Sequence, residues 1–242
     1  MNPISIVVIT LNEEKRIGRL LDDLSKQTHQ DFEVIVVDSN SDDNTRTISR
    51  GYEKALPQLT VHKMENRGTS LGRNTGAKLA QHERLLFLDA DVRLAPTFLT
   101  NALHKLEKNK LEVAGVYMGA DELSLTYRLG YGAFNAGLWA TSFFFPTAVG
   151  ACIFSTTRAH QEIAGFDESI TLCEDCDYVR RAAQTWRYRM LPISFWFDPR
   201  RLEQDGFFTM GLTYLKANVR RFFLGEMRNN EMSYQFDHYR QS

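Results

Sequence analysis

The sequence predicts an α/β fold in which helices flank a mostly parallel central sheet. Two observations lead to this prediction. Strand-like and helix-like patterns alternate through the N-terminal part of the chain, which is typical of βαβ crossovers. The strand-like runs are almost wholly apolar, as expected for strands that helices cover on both faces. A chain of 242 residues with 43% hydrophobic residues can bury a core of the size that such a fold needs.

The predicted elements follow one another in a regular order. Apolar runs at residues 4–9, 32–37, 59–64 and 85–88 predict strands. Three segments between these strands have the residue spacing of helices. They contain Ile17, Leu20, Leu21 and Leu24 in the first, Ile48, Ala55 and Leu56 in the second, and residues 75–81 in the third. Because ligands bind beyond the carboxyl ends of parallel strands, we expect the polar residues after the first, second and fourth strands to line one crevice.

Two aspartates separated by one alanine end the fourth strand, in the stretch LLFLDADVR at residues 85–93. Asp89 and Asp91 offer hard oxygen ligands on different bearings, which suits Mg²⁺ or Mn²⁺ carrying a diphosphate. The alternative is that Asp89 caps the next turn and Asp91 is solvated. Residues 66–76, NRGTSLGRNTG, favour the first interpretation, because a glycine-rich loop ahead of a helix would let Arg73 meet phosphate or ribose oxygens. Taken alone, that segment also fits a flexible surface turn.

The net charge and the cysteine content limit the partners and the cellular setting that we expect. The net charge of −1 and the pI near 6.6 give no general attraction to nucleic acid, so no nucleic-acid partner is expected. Three cysteines and an N-terminus without the features of a signal peptide predict a reducing, cytoplasmic setting. Cys173 and Cys176 form a Cys-x-x-Cys pair, but no second pair follows, so we interpret them as incidental thiols rather than a zinc or redox site.

Several segments resemble the family 2 glycosyltransferases. On the N-terminal side they are TLNEE at 10–14, VVDSNSDDNT at 36–45, GRNTGA at 72–77 and LDADV at 88–92. On the C-terminal side, GFDESITLCEDCDYVRR at 165–181 resembles the acceptor-side pattern of the same family. The resemblance implies the GT-A fold, with a Rossmann-like sheet, as a single domain over residues 1–242. It also implies a nucleotide-sugar-binding half at 1–118, a smaller acceptor-binding and catalytic half at 119–206, and a helical extension at 207–242.

The resemblance assigns the donor site residue by residue. Asp91 would be the principal ligand of Mg²⁺ or Mn²⁺, with Asp89 near the ribose or in the water shell of the metal. The residues bordering the nucleoside would be Thr10, Glu13 and Asp38. Many family members carry a second acidic residue after the second strand, whereas here Ser39 follows Asp38, and a serine discriminates bases less sharply than a carboxylate. A UDP-sugar is therefore the first choice of donor and a GDP-sugar the second.

The acceptor-side pattern contains the catalytic candidates. In an inverting transfer the acceptor hydroxyl loses its proton as it attacks the anomeric carbon, so we assign Asp175 as the general base and Glu174 as the residue that orients it or the acceptor. The plainer interpretation is that these carboxylates and Asp177 are favourable first-turn charges of a helix through residues 178–185, and the two interpretations are compatible. An arginine pair, Arg200 and Arg201, would contact the acceptor or the donor phosphates, with surface salt bridging as the alternative.

Two apolar segments raise the question of a membrane. Residues 129–157 contain no charged residue, but a single crossing there would separate Asp89 from Asp175. We therefore predict that this segment forms core, the wall of an acceptor pocket and an exposed apolar patch. Residues 207–225 combine apolar and basic side chains at helical spacing, so they either pack on their own domain or contact the inner face of the membrane. Membrane contact would favour a polyprenol-linked acceptor.

Three functions remain at this point. The favoured one is a metal-dependent inverting glycosyltransferase that uses a nucleotide-sugar donor and a sugar or polyprenol-linked acceptor, in cell-surface polysaccharide or glycolipid synthesis. A sugar-phosphate nucleotidyltransferase would need a glycine-rich, lysine-containing loop after the first strand, and TLNEEKR has no glycine. A noncatalytic nucleotide-sugar-binding protein would tolerate loss of the base, and the Glu174–Asp175 pair argues against it. The sequence assigns no oligomeric state.

Overall fold

Apolar strands form the centre of the protein, as the sequence predicts. The computed structural model describes residues 2–56, 58–120, 124–197, 220–221 and 225–228. In these residues the strands are β1 (Ile4–Thr10), β2 (Phe32–Asp38), β3 (Leu59–Lys63), β4 (Arg84–Asp89), β5 (Val92–Arg93), β6 (Val113–Met118), β7 (Cys152–Thr156), β8 (Ile170–Leu172), β9 (Tyr188–Phe197) and β10 (Met227–Arg228). The helices are α1 (Ile17–Ser25), α2 (Thr45–Arg50), α3 (Thr69–Leu79), α4 (Phe98–Asn109), α5 (Leu125–Thr141), α6 (Thr157–Glu162) and α7 (Glu174–Ala182).

The main sheet of the described residues has eight strands in the order β3-β2-β1-β4-β7-β6-β9-β5. The first four are mutually parallel, as βαβ crossovers require. β7 runs antiparallel to both of its neighbours, β4 and β6, whereas β6 and β9 are again parallel. The predicted mostly parallel α/β sheet is confirmed, with two reversed strands among the described residues, β7 near its middle and β5 at its edge.

Both faces of the sheet are covered. The four apolar residues of β4, at 85–88, are completely buried, which confirms the prediction from their unbroken apolar run. Alternate residues of β1 point to opposite faces, so Val8 packs with α1 and α4 while Val7 packs with α3 and α7. The site at the strand ends therefore stands on a framework packed from two sides.

Residues 66–76 are not the loop that their glycines predicted. α3 begins at Thr69, so Arg73 and Gly76 lie inside a helix. A Cβ added at Gly76 would lie only 2.2 Å from Cγ1 of Val7 on β1. Glycine is needed here because the helix backbone packs directly against the sheet, and the expected surface turn is therefore wrong.

The uncharged segment 129–157 contributes the end of α5, a connecting turn and β7. None of the helices described is both long enough and apolar enough to span a bilayer. The predicted exposed apolar patch is present on α5 and the turn after it, where large apolar side chains are 55–72% exposed. The described residues thus confirm the division of this segment into helix, turn and strand.

Two predictions fall mainly or wholly outside the described residues. Arg200 and Arg201 lie outside them, as does most of the 207–225 segment. Arg221, one of the basic side chains of that segment, is described: it is 1% exposed and forms two hydrogen bonds with the carboxylate of Glu226. Its charge is paired inside the protein, which fits the packing of this segment on its own domain, one of the two alternatives that the sequence leaves open.

Candidate active site

Three strand ends meet at one edge of the main sheet. In the parallel register, Thr10 of β1 is opposite Asp38 of β2, and Ile9 of β1 is opposite Asp89 of β4. The polar residues after these strands therefore lie side by side, as the sequence predicts. Helix N-termini and loops that follow the strands enclose this edge, which becomes the candidate active site.

The end of β1 carries a hydroxyl without a partner. Thr10 is buried, and its Oγ1 accepts and donates no hydrogen bond within the described residues. Its carbonyl oxygen accepts a hydrogen bond from the backbone N–H of Ser39, which is also buried. A buried hydroxyl is costly to leave unsatisfied, so this one marks a place where a ligand atom or water can bind.

The carboxylate of Asp38 is already engaged. Its Oδ1 accepts hydrogen bonds from the backbone N–H of Ser41 at 3.0 Å and from Arg46 at 2.7 Å. Its Oδ2 accepts from the Ser41 hydroxyl. Asp38 is completely buried, so these bonds compensate its desolvation and fix the loop after β2. In this arrangement the residue shapes the loop that borders the crevice.

Glu13 links the first loop to the second. Its backbone N–H donates to the Thr45 hydroxyl at 2.8 Å, and its carboxylate accepts from Arg16 at 2.9 Å. Glu13 is buried, so the ion pair keeps its charge compensated. The loops that follow β1 and β2 are consequently held together as one wall of the crevice.

Asp89 and Asp91 stand at the end of β4, as the Asp-x-Asp pattern predicts. Asp91 is 8% exposed, whereas the Asp89 side chain is 27% exposed and opens towards the crevice. Oδ1 of Asp89 accepts a hydrogen bond from Arg73, and its other carboxylate oxygen has no hydrogen bond within the described part of the chain. One carboxylate oxygen thus remains available for a cation or a ligand hydroxyl.

Arg73 is the hub of the site. Its guanidinium donates to Glu174 at 2.7 Å, to Asp89 at 3.1 Å and to the carbonyl oxygen of Gly150 at 3.0 Å. It is 1% exposed, and its Nε has no hydrogen bond within the described residues. Burial by itself lowers the pKa of Arg73, but Asp89 and Glu174 outweigh it and raise the pKa overall, so the side chain is a permanent cation. It therefore joins Asp89 at the end of β4 to Glu174 at the start of α7.

The catalytic candidates lie at the N-terminus of α7. Cys173 precedes the helix in the left-handed region, at φ 63°, and Glu174, Asp175 and Asp177 all lie in its first turn, as predicted. Negative charge is favourable there because unpaired N–H groups of the first turn point towards it. The helix begins at Glu174, before the predicted range of 178–185, and it ends at Ala182. The carboxylates of Glu174 and Asp175 are therefore held on a rigid element.

Asp175 has the acid–base character expected of a general base. Burial and the neighbouring Glu174 raise its pKa from 3.8 to about 6, against the opposing effect of Arg73 and of the Cys176 N–H that it accepts at 2.8 Å. A carboxylate with a raised pKa is a stronger base and is still ionised at neutral pH. Its Oδ2 would lie 3.0 Å from a Cβ added at Gly150, so Asp175 and Arg73 both face this glycine.

The sequence profile described as Glycosyl transferase family 2 matches residues 5–170, which is well over half of the chain. The chain belongs to glycosyl transferase family 2. Both Asp89 and Asp91 lie within the matched residues, and Asp175 lies just beyond them. The fold and the activity class implied by the family are those that the sequence motifs predicted.

Curated relatives are similar over somewhat less than half of the chain. The chain is 31% identical over 112 residues to an uncharacterized glycosyltransferase, EpsJ, of Bacillus subtilis, covering 46% of this chain and 33% of that protein. It is 38% identical over 104 residues to validoxylamine A glucosyltransferase of Streptomyces hygroscopicus subsp. limoneus, covering 41% and 23%. The aligned region is thus a third or less of the length of these two glycosyltransferases.

Solved structures share the fold over most of the chain. Residues 1–349 of Staphylococcus aureus TarS, in complex with UDP-GlcNAc, match with a TM-score of 0.66 at 24% identity, covering 81% of this chain and 58% of that one. A mannosyltransferase from Pyrobaculum calidifontis, in complex with GDP-Man and Mn²⁺, matches with a TM-score of 0.69 at 20% identity, covering 87% and 64%. The glycosyltransferase fold predicted from the motifs is therefore confirmed.

Asn74 connects two of the family motifs. Its side chain donates to the carbonyl oxygen of Phe166 and to Glu168, both at 2.9 Å, and its Oδ1 accepts from the N–H of Phe166 at 2.8 Å. The GRNTGA motif on α3 therefore fixes the GFDES motif that precedes α7. This role was not predicted from the sequence, because Phe166 and Glu168 lie 92 and 94 residues after Asn74 along the chain.

The three cysteines are free and buried. The potential ligand atoms of Cys173, Cys176 and Asp175 lie within 4.8 Å of one another. Incidental thiols would not need to lie so close together. A hydrogen bond with Cys173, together with burial, raises the pKa of Cys176 well above its ordinary value, so that thiol is protonated. Protonated thiols pack as small apolar groups, and we assign this pair no catalytic role.

Gly150 is a site residue that the sequence did not reveal. It lies in the uncharged segment before β7, and a Cβ there would be 3.0 Å from Asp175 and 3.1 Å from Arg73. We expect Gly150→Ala to lower turnover by about tenfold with little loss of donor binding, because a methyl group would displace a catalytic carboxylate by a few tenths of an ångström. Steady-state kinetics with donor varied would measure this effect. The control is Gly137→Ala, where an added Cβ meets nothing within 4 Å, and equal kinetics for both variants would contradict the expectation.

Proposed function

We propose that this family member transfers a sugar, with inversion, from a nucleotide-diphosphate sugar to an acceptor hydroxyl. The observation that carries the proposal is the chain of contacts from Asp89 through Arg73 to Glu174 and its neighbour Asp175. These residues come from a donor-side strand, a donor-side helix and an acceptor-side helix. Their convergence at one edge of the sheet matches the need of a transferase for donor and acceptor in a single site.

The donor end is formed by the loops after β1 and β2. We assign the nucleoside to Thr10, Glu13, Asp38 and Ser39, and support comes from the partnerless Thr10 hydroxyl and from the buried Ser39 beside it. The similar TarS structures carry UDP or UDP-GlcNAc, and the Pyrobaculum mannosyltransferase carries GDP-Man. A UDP-sugar is the first choice here and a GDP-sugar the second.

The carboxylate oxygens at the end of β4 suit a hard divalent cation. Asp91 and Asp89 would hold Mg²⁺ or Mn²⁺, and the available carboxylate oxygen of Asp89 fits this role. Bound there with the diphosphate, the ion would supply positive charge that stabilises the leaving nucleoside diphosphate. Only two protein carboxylates are needed, because phosphate oxygens and water complete the coordination of such ions.

The acceptor end is formed by the start of α7. Asp175, with its raised pKa, takes the proton of the attacking hydroxyl, and Glu174 is held by Arg73 so that it can orient the acceptor. The acceptor hydroxyl belongs to a sugar or a polyprenol-linked sugar, in the synthesis of a cell-surface polysaccharide or glycolipid. A relative from Staphylococcus aureus, 34% identical over 122 residues, is named poly(ribitol-phosphate) β-N-acetylglucosaminyltransferase TarS, and that name supports a polymer as the acceptor. Screening nucleotide sugars for hydrolysis and for thermal stabilisation, with and without Mn²⁺, tests the activity class.

Asp91→Asn tests the metal assignment. The variant should keep its fold but bind the nucleotide sugar at least about tenfold more weakly in Mn²⁺, because one of the two carboxylates that would hold the cation is lost. Titration calorimetry in Mn²⁺ and in EDTA would measure the difference, which should disappear in EDTA. The matched control is Asp22→Asn on α1, whose exposed pair with Lys26 lies outside the site. Equal donor affinity of Asp91→Asn and wild type in Mn²⁺ would remove this residue from the metal site.

A further inference from the structure

The end of α5 and the turn after it expose an unusual amount of apolar surface. Of the 17 residues of α5, only Tyr131 and Leu138 are buried. The large side chains that remain exposed, here called the α5 face, are Leu125 (70%), Leu129 (67%), Trp139 (58%), Phe143 (55%) and Phe144 (72%). Water-soluble surfaces rarely present so many large apolar groups together, so the face is expected to meet a partner.

Arginines flank the aromatic end of this face. The guanidinium of Arg189 lies 4.6 Å from the ring centroid of Phe143, and Arg187 beside it is exposed. Within the described residues neither arginine forms a salt bridge with a carboxylate. Together with Arg180 they line a cavity of about 330 Å³ whose apolar wall includes Phe143 and Phe144.

The charged side chains of α5 and of the cavity lining are all arginines, and of these Arg180 is paired with Glu226. α5 carries a single charged side chain, Arg128, which is exposed, and no acidic residue occurs from there to residue 161. Two copies of the face placed against each other would bring arginines together without carboxylates to meet them, which disfavours a dimer through this surface. A partner with negative charge beside an apolar layer fits better.

We propose that the α5 face docks on an anionic phospholipid bilayer. Trp139, Phe143 and Phe144 would enter the boundary between headgroups and acyl chains, where aromatic side chains are favoured. Arg187 and Arg189 would meet lipid phosphates, which attract basic side chains near the membrane surface. This contact does not depend on which sugar the enzyme transfers.

The binding test uses the full chain and two kinds of vesicle. Phosphatidylcholine vesicles and vesicles that also contain phosphatidylglycerol are sedimented with the protein at low and high NaCl. The protein should sediment with the anionic vesicles, and binding should weaken as salt rises because the arginine–phosphate attraction is screened. Soluble glycerol phosphate should not release it, since the free headgroup offers no apolar layer for the aromatic side chains.

Two pairs of substitutions assign the contact to this face. Phe143→Ser with Phe144→Ser, and separately Arg187→Glu with Arg189→Glu, should each lower the partition coefficient on anionic vesicles by at least about tenfold. The matched controls are Leu79→Ser, an exposed apolar residue of α3, and Arg50→Glu, an exposed residue of α2. Thermal unfolding identifies any variant that has lost its fold, in which case Trp139→Ser alone replaces it in the same assay.

Three outcomes would overturn the proposal. In the first, the wild-type protein fails to sediment with anionic vesicles. In the second, it sediments but the face variants bind as well as the controls, so another segment makes the contact. In the third, ultracentrifugation without vesicles shows a dimer that the phenylalanine substitutions dissociate, so a second copy covers the face.

Discussion

Replacing Asp175 with asparagine is expected to lower the rate of sugar transfer by about a hundredfold to ten-thousandfold while donor binding survives. The amide keeps the shape of the side chain but cannot accept the proton of the acceptor hydroxyl. The loss should appear in turnover and should not be recovered by more donor, because the nucleotide and metal residues are unchanged. Calorimetry of donor binding and a transfer assay with a competent acceptor would separate the two effects.

The raised pKa of Asp175 adds a pH test. The general base must be ionised, so kcat/KM of the wild-type enzyme should fall as the pH drops below about 6. This ionisation should be missing from the residual activity of the variant. Asp22→Asn provides the control for an aspartate change outside the site. If Asp175→Asn transferred sugar at the wild-type rate, the base would be another carboxylate of the same turn, Glu174 or Asp177.

The same pKa shift predicts the effect of the substitution on stability. The folded-state pKa of about 6 lies above the ordinary 3.8, so between these values the folded state holds the proton that the unfolded state has lost. Stability therefore falls as the pH rises through this window, and at pH 8 the ionised carboxylate destabilises the fold. Asparagine cannot ionise, so Asp175→Asn should melt at the same temperature as wild type or higher. A much lower melting temperature would make Asp175 structural.

Replacing Arg73 with methionine is expected to destabilise the protein by about 3–5 kcal/mol, because it leaves two carboxylates in the site without their cation. Arg73 is 1% exposed and contacts both Asp89 and Glu174, and the Glu174 side chain is only 13% exposed, so water would compensate poorly for the lost cation at Glu174. Urea unfolding in the absence of donor would measure the loss. Arg73→Lys keeps the charge but cannot reproduce the forked contacts, so it should recover only part of the stability.

Arg67→Met is the matched control for Arg73. Arg67 forms an ion pair with Asp42 at 2.7 Å, but both side chains are considerably exposed, so its loss should change stability by less than about 1 kcal/mol. An unchanged unfolding curve for Arg73→Met, with weaker donor binding, would contradict the buried hub. That result would instead support the prediction made from the sequence alone, in which Arg73 is open to the crevice and contacts phosphate.

The parallel part of the fold could be predicted because its signals are local. The apolar runs of β1, β2 and β4 and the polar residues after them identified both the sheet and the edge where the site lies. The helix at residues 69–79 was predicted to begin only at residue 75, because the glycine-rich segment that includes Gly72 and Gly76 was interpreted as a loop ahead of it. In the folded protein they serve close packing on β1, which a single sequence does not distinguish from a turn.

The site could be predicted only as separate motifs. The Asp-x-Asp end of β4 and the carboxylates of α7 carry recognisable patterns, but the contacts that join them do not. Arg73 reaches Glu174 across 101 residues and Gly150 across 77, and both contacts depend on how α7 and the start of β7 pack on the donor half. Arg221 is a further example, since its burial against Glu226 has no signal in the local charge pattern.

The position of β7 in the middle of the sheet affects the order in which a nascent chain can fold. β4 leaves the ribosome early, but its neighbour β7 follows only at residues 152–156, and at ordinary synthesis rates the interval is on the order of several seconds. During that time the buried strand β4 has an open hydrogen-bonding edge, which other chains can pair with. β6 likewise waits for both β7 and β9. Translation must therefore pass residue 156 before β4 is covered and residue 197 before β6 is paired on both sides, so a chain that stalls or ends before residue 152 is exposed to aggregation at β4.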